Sequence, residues 1–347
     1  MSGRDLWVDY AKGIGIVLVV YGHVARGVHS AGLPIDEKPF RLVDSVIYSF
    51  HMPLLFFLSG LFFVVSLHRQ GAGGLLAGKL RTVALPYLVW SILQGLVEVL
   101  LSQYTNGHVT LVEVFSLLWQ PRAQFWFLYV LFFMFLGATV IYRWLPVRVH
   151  GTVAALACLA AVFAEYLPGG MPLGIVIQYF PYFAAGVLFN TLDMSSLAVT
   201  GRRIVFALAA FVTIQYAVHM VGVAPVPPLA GNVLGLALAG ISVLSVITLC
   251  RWLERFRLDW LARLGQASLA IYVMHILAGS SIRIILQKFI GIDWVAVHLV
   301  VGTLAGMGLP LIVLRLADRI GMSSWLGLGK RPIVRSAHAS PSTFTNS

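Results

Sequence analysis

Residues 124–142 read QFWFLYVLFFMFLGATVIY, and no Lys, Arg, Asp or Glu interrupts them. At about 1.5 Å per residue a helix of that length reaches about 28 Å, close to the ~30 Å hydrocarbon core of a bilayer. Backbone amides in lipid have no water to bond, so such a stretch must satisfy them internally as a helix. The strict alternation that marks a membrane β-strand is absent.

The same reading extends outward over the 347 residues, of which 59% are hydrophobic and 11% charged. The mean hydropathy is +0.89. A soluble domain carries about 25% charged residues, so this chain could not cover its own surface in water. The pattern predicts ten spans, at about 10–29, 43–66, 82–102, 124–142, 149–167, 172–190, 203–222, 230–250, 266–287 and 294–316. The sixth is interrupted by Pro172, Gly174 and Pro181. The expected fold is an all-α, polytopic integral membrane helical bundle over residues 1–329. Residues 330–347, rich in Ser, Pro and Thr, are expected to form a disordered cytoplasmic tail. No cleavable signal peptide and no appended soluble domain are expected.

With the N-terminus placed in the cytoplasm, 18 of the 24 Lys and Arg residues fall on the cytoplasmic side. Arg26, Lys38, Arg41, Arg122, Arg283 and Lys288 fall on the other. Excess Lys and Arg mark cytoplasmic loops, so both termini are expected inside. The net charge of +11 has the same origin, and no basic run interleaved with aromatics points to nucleic acid. Cys158 and Cys250 sit in apolar segments and read as small core residues. No histidine pair joins a carboxylate at metal-ligand spacing, and no phosphate-binding loop motif occurs.

Polar residues inside spans each cost roughly 2.5–3.5 kcal/mol at a helix centre, so they need a partner or a purpose. The first span holds Asp9, Lys12 and His23. Eleven positions separate Lys12 from His23, which leaves them about 20° apart around the axis and about 16 Å apart along it. Asp9 lies about 40° from His23, so the three share a stripe. That stripe is either a buried ion pair with a bonded histidine, or a cavity lining with His23 as general base. A neutral imidazole can accept a proton near neutral pH. In span two, His51 precedes Pro53, which cannot donate to the Ser49 carbonyl. His51 either caps freed backbone or faces a substrate. Lys79 and Arg81 either flank span three as ordinary cytoplasmic cations or contact an anionic cofactor. Arg122 with Trp126 suits a sugar face, though an interfacial aromatic belt also explains Trp126. His275 either bonds a neighbouring helix or joins the site.

These residues carry a resemblance. Asp9-Tyr10-Ala11-Lys12-Gly13 with Gly22-His23, Phe50-His51-Met52-Pro53-Leu54 with Phe56-Phe57-Leu58-Ser59-Gly60, and Leu85-Pro86-Tyr87 come first. Phe125-Trp126-Phe127-Leu128 and the run from Leu264-Gly265 through Ser268 to His275 follow. In this order the chain resembles the acyltransferase type 3 family of membrane O-acyltransferases, especially its fucose 4-O-acetylase-like branch. The resemblance implies about ten helices, no metal, and transfer of an acyl group, most often acetyl, from acetyl-CoA or another acyl-CoA. The implied acceptor is a hydroxyl of an exported or cell-surface glycan, and the implied location a bacterial inner membrane. It implies that His23 is catalytic, with Asp9 and Lys12 beside it, Lys12 standing where the family has arginine. The family's pair of donor-binding arginines, three apart, falls at Lys79 and Thr82, with Arg81 adjacent. The acyl donor is expected on the cytoplasmic side and the carbohydrate on the other, with His51, Arg122, Trp126 and His275 as substrate contacts. Two other classes compete: a secondary transporter or flippase, for which intramembrane His, Asp and Lys would form a proton relay, and a non-catalytic scaffold.

Overall fold

A computed structural model describes residues 5–103, 109–167, 169–194, 197–220 and 227–329. The expected tail, 330–347, lies outside the described residues. Among those described there are helices and no β-strand. In chain order they are α1 (Leu6–Ser30), α2 (Glu37–Leu61), α3 (Phe63–Lys79), α4 (Leu85–Leu100), α5 (Leu111–Phe115), α6 (Trp126–Tyr142) and α7 (His150–Val162). Then follow α8 (Leu173–Thr191), α9 (Gly201–His219), α10 (Pro228–Leu253), α11 (Asp259–Gln266), α12 (Ser268–Ile284) and α13 (Val295–Arg319). Among the described residues, nine helical stretches are long and apolar enough to cross a bilayer. The protein is an integral membrane helical bundle.

Every expected span meets a helix, but four details differ. The fifth span is short: Val147–Val162 reaches only about 24 Å. The sixth runs unbroken through Pro181. Residues 67–81, expected as a connection, are helical as the greater part of α3 and a π-helical turn over Leu80–Ala84. Gly71, at φ 68° and ψ 169°, breaks α3 in two, a backbone conformation that glycine adopts without steric cost. Finally, α11 is an amphipathic helix that the span pattern does not register, because eight residues are too few to cross lipid.

α1 is the hub of the bundle. It packs against α2, α10, α11, α12 and α13. Over its most apolar 18 residues α1 is 67% buried, against 11% for α9. Glycines permit this crowding. A Cβ on Gly265 of α11 would stand 1.8 Å from the Asp9 carbonyl oxygen, and one on Gly13 of α1 would stand 2.5 Å from the Leu261 oxygen. The seam between α2 and α8 repeats the device: Gly60 faces the Phe183 oxygen and Gly186 the Phe57 oxygen, each at 2.1 Å from a would-be Cβ. Small residues at such crossings let backbones approach and gain dispersion contacts where lipid supplies no hydrophobic drive between helices. The outer faces stay apolar. Phe206, Val212 and Tyr216 on α9, and Val300, Leu304 and Ile312 on α13, are exposed, as side chains bordering acyl chains should be.

Candidate active site

α1, α2 and α12 each bring one histidine to a common point. The rings of His23 and His275 lie 5.1 Å apart between centroids. Tyr48, one turn before His51 on α2, stands edge-on to both, 6.4 Å from His23 and 4.5 Å from His51. His51 donates from Nδ1 to the Ile47 carbonyl at 2.8 Å, and His275 from Nδ1 to the Tyr272 carbonyl at 2.7 Å. A carbonyl can only accept, so in the neutral rings each Nε2 is left as an acceptor. Among the described residues, His275 Nε2 and the Tyr48 hydroxyl are buried without a hydrogen-bond partner. An unmade bond of this kind costs about 1–3 kcal/mol, and the two lie beside a half-buried His23, where a polar group could satisfy both.

Two further groups lock this cluster. Arg26, one turn beyond His23, is gripped by Asp44 through Nε at 2.7 Å and Nη2 at 2.8 Å. That two-pronged pair lays the guanidinium 3.3 Å over the centre of the Tyr48 ring, a cation–π contact. Gly22 faces the same ring, where a Cβ would stand 3.1 Å away. Arg26, Asp44 and Tyr48 are not among the residues the sequence reading selects. Their signal is the spacing of Asp44, Tyr48 and His51, four and then three residues apart, which puts all three on one face of a helix.

Toward the other end of α1 lies a cavity of about 370 Å³. Lys12 and Lys79 line it with Ser59, Thr82, Ser268 and Tyr272, and no carboxylate does. The two lysines are near enough to repel one another, and Lys79 Nζ rests 3.9 Å over Phe135. The π-helical turn Leu80–Ala84 supplies part of this wall, a distortion frequent at functional sites. Tyr272 joins cavity and cluster: it lines the cavity, and its ring lies 6.0 Å from His275. Its hydroxyl donates to the Gln124 carbonyl.

The remaining selected residues sit elsewhere. Asp9 is buried at the α1–α11 seam and accepts from Gln266 Nε2 at 3.0 Å. It is about 21 Å along the axis from His23. Arg81 is exposed and does not line the cavity. Trp126 packs edge-on or tilted among Phe56, Phe127 and Tyr179 rather than beside the histidines. Arg122 pairs with Glu98 at 2.5 Å. Glu98 also accepts from Gln94, which bonds Gln124, so a polar chain runs from Arg122 back to Tyr272. Glu98 lines a second cavity of about 250 Å³ with Ser280, Ser281 and Arg283. Among the described residues no group of three or more His, Cys, Asp or Glu side chains is arranged to hold a metal ion.

Comparison with known proteins supplies the family. The sequence pattern of a family described as an acyltransferase domain matches residues 5–315. The chain belongs to this acyltransferase family. All nine residues selected from its sequence, and the three added by the structure, fall inside the match. The chain is also similar to the nodulation protein NolL of Sinorhizobium fredii, 24% identical over 197 residues, covering 54% of this chain and 49% of that protein. A nodulation protein NolL of Mesorhizobium japonicum is 25% identical over 190 residues, covering 54% and 48%. The chain thus spans about half the length of the curated relatives it matches. No solved structure matches it significantly.

Proposed function

We propose that this O-acyltransferase moves an acyl group, most often acetyl, from acyl-CoA to a hydroxyl of a glycan, with His23 as general base. The observation that carries the reading is the placement of His23 and His275, 5.1 Å apart, beyond Tyr272 at the head of a cavity lined by two lysines and no carboxylate. The cavity suits an anionic donor: Lys12 and Lys79 would attract its phosphates, and the apolar walls would take its acyl arm. The donor supplies an activated thioester carbonyl.

His23 removes the proton from the acceptor hydroxyl as its oxygen forms the new C–O bond. The C–S bond breaks and the thiolate takes up a proton. The charge that develops on the carbonyl oxygen calls for a nearby donor, and the Tyr48 hydroxyl, which has no partner among the described residues, fits that need. His275 Nε2 is placed to accept from the acceptor sugar or from His23. General-base help of this kind is typically worth 10²–10⁴-fold.

The reading places the donor side in the cytoplasm, with both termini inside, on the strength of the 18-to-6 division of Lys and Arg. It places the carbohydrate at the opposite end, and the protein in a bacterial inner membrane.

The deciding experiment uses the purified full chain in nanodiscs with acetyl-CoA and a panel of short oligosaccharides. Thiol release coupled to an O-acetylated product, both lost in His23→Ala, supports the reading. Proton-coupled uptake by proteoliposomes without thiol release would instead support a transporter.

A further inference from the structure

A cavity of about 720 Å³ lies away from the histidines, between α9, α10 and the end of α8. Its lining divides by chemistry. Arg202, Arg203 and Arg251 stand at one end, and Phe206, Ala210, Ile241 and Leu244 run from them along the helices. No carboxylate lines it. Glu254 is close to Arg251 but accepts from the Trp7 backbone amide at 2.9 Å. That bond also places the arginines at the Lys12 end of α1. Arg203 and Arg251 are near enough to repel one another. Arg251 holds the Met194 and Leu197 carbonyls, and Arg203 holds that of Ala198, which fixes the two cations in place.

We propose that this groove binds one anionic glycerophospholipid, with its phosphate at the arginines and an acyl chain along the apolar wall. Dimensions favour a lipid over a soluble anion. Ten residues separate Arg251 from Ile241, about 15 Å of helix, which is half of the ~30 Å hydrocarbon core. The groove therefore reaches from headgroup level to mid-bilayer, the length of one leaflet. Its outer wall is α9, the least enclosed of the long apolar helices among the described residues, with only Ile204 and Gln215 of its side chains buried, so a lipid can enter sideways from the membrane. Guanidinium groups bind phosphate through paired N–H donors, and basic pockets between membrane helices are known to select anionic headgroups. The proposal is independent of the acyl-transfer reading.

The test is native mass spectrometry of the delipidated full chain. It is titrated with phosphatidylglycerol, with phosphatidylcholine of the same acyl chains, and with glycerol phosphate. Phosphatidylglycerol should bind saturably as a single adduct, well ahead of phosphatidylcholine, and glycerol phosphate should neither bind nor compete. Arg202→Gln should weaken phosphatidylglycerol about fivefold and Arg202→Gln with Arg203→Gln about thirtyfold. The Arg202 side chain makes no hydrogen bond among the described residues, so its single variant remains informative if the double variant fails to fold. Ala210→Trp, which fills the apolar part and leaves the arginines, should also abolish the adduct. Equal binding of the two lipids, unchanged affinity in Arg202→Gln, or equal competition by glycerol phosphate would each overturn the proposal.

Discussion

A single methyl group at Gly265 should loosen the hub of the bundle. In Gly265→Ala the new Cβ would stand 1.8 Å from the Asp9 carbonyl oxygen, whereas a carbon and a carbonyl oxygen settle at about 3.3 Å or more. α11 must therefore withdraw from α1 by roughly 1.5 Å at this point. The obstacle is backbone, so no side-chain rotation relieves it. Withdrawal would also part Leu261 from Gly13, the reciprocal contact in the same seam, and stretch the 3.0 Å bond from Gln266 to Asp9. Overpacking of this kind costs about 1–3 kcal/mol, and a backbone obstacle puts it toward the upper end. Alanine regains up to about 1 kcal/mol of helix propensity. The net expectation is a loss of about 2 kcal/mol, read as a melting temperature lower by about 3 °C in a chain of this length. The assay is thermal unfolding in one detergent, followed by the surviving monodisperse fraction. Gly137→Ala is the control, because nothing lies within 4 Å of its would-be Cβ; it should be neutral or slightly stabilising. If Gly265→Ala melts with Gly137→Ala, the close seam at Asp9 does not hold the fold and the argument fails.

Three further outcomes are expected at the site. His23→Gln, which keeps a hydrogen-bonding group but cannot take up the proton, should lower kcat by about 10²-fold or more with an unchanged melting temperature; most of the activity retained in a steady-state assay would make His23 a structural group. Lys79→Gln should raise the donor KM about tenfold and leave the acceptor KM unchanged, while Arg81→Gln, outside the cavity, should change neither, so equal effects of the two would place the donor elsewhere. Asp44→Asn should free Arg26 from Tyr48 and lower kcat about tenfold without harming donor binding, checked by comparing kcat and KM; full activity would remove the Arg26–Tyr48 contact from the machinery.

The helical membrane fold was legible because lipid leaves the backbone one solution, and charge-free runs such as residues 124–142 declare it. Residues 67–81 were not legible as a helix, since Gly71, Gly73 and Gly74 depress local propensity and Gly71 interrupts the helix. The spacing puts Asp9, Lys12 and His23 along one side of α1, yet the three meet different partners. Lys12 faces the cavity, His23 meets His275, and Asp9, about 40° out of phase with His23, turns toward α11. Spacing within one helix fixes direction around its axis but not the partner found there. For that reason the meeting of His23, His51 and His275 needed coordinates, whereas the Asp44, Tyr48 and His51 face of α2 could have been read from spacing alone.

The histidine cluster has a lysine-lined cavity at one end and the Arg26–Asp44 clasp at the other, and this separation bears on kinetic order. Two reactants that approach one point from opposite ends of the same helices do not need to vacate a shared pocket in turn. Steady-state rates measured over both concentrations should then give intersecting reciprocal plots, without the parallel lines of a carrier that is charged first and discharged later. Free coenzyme A should compete with the acyl donor and act as a noncompetitive inhibitor toward the sugar.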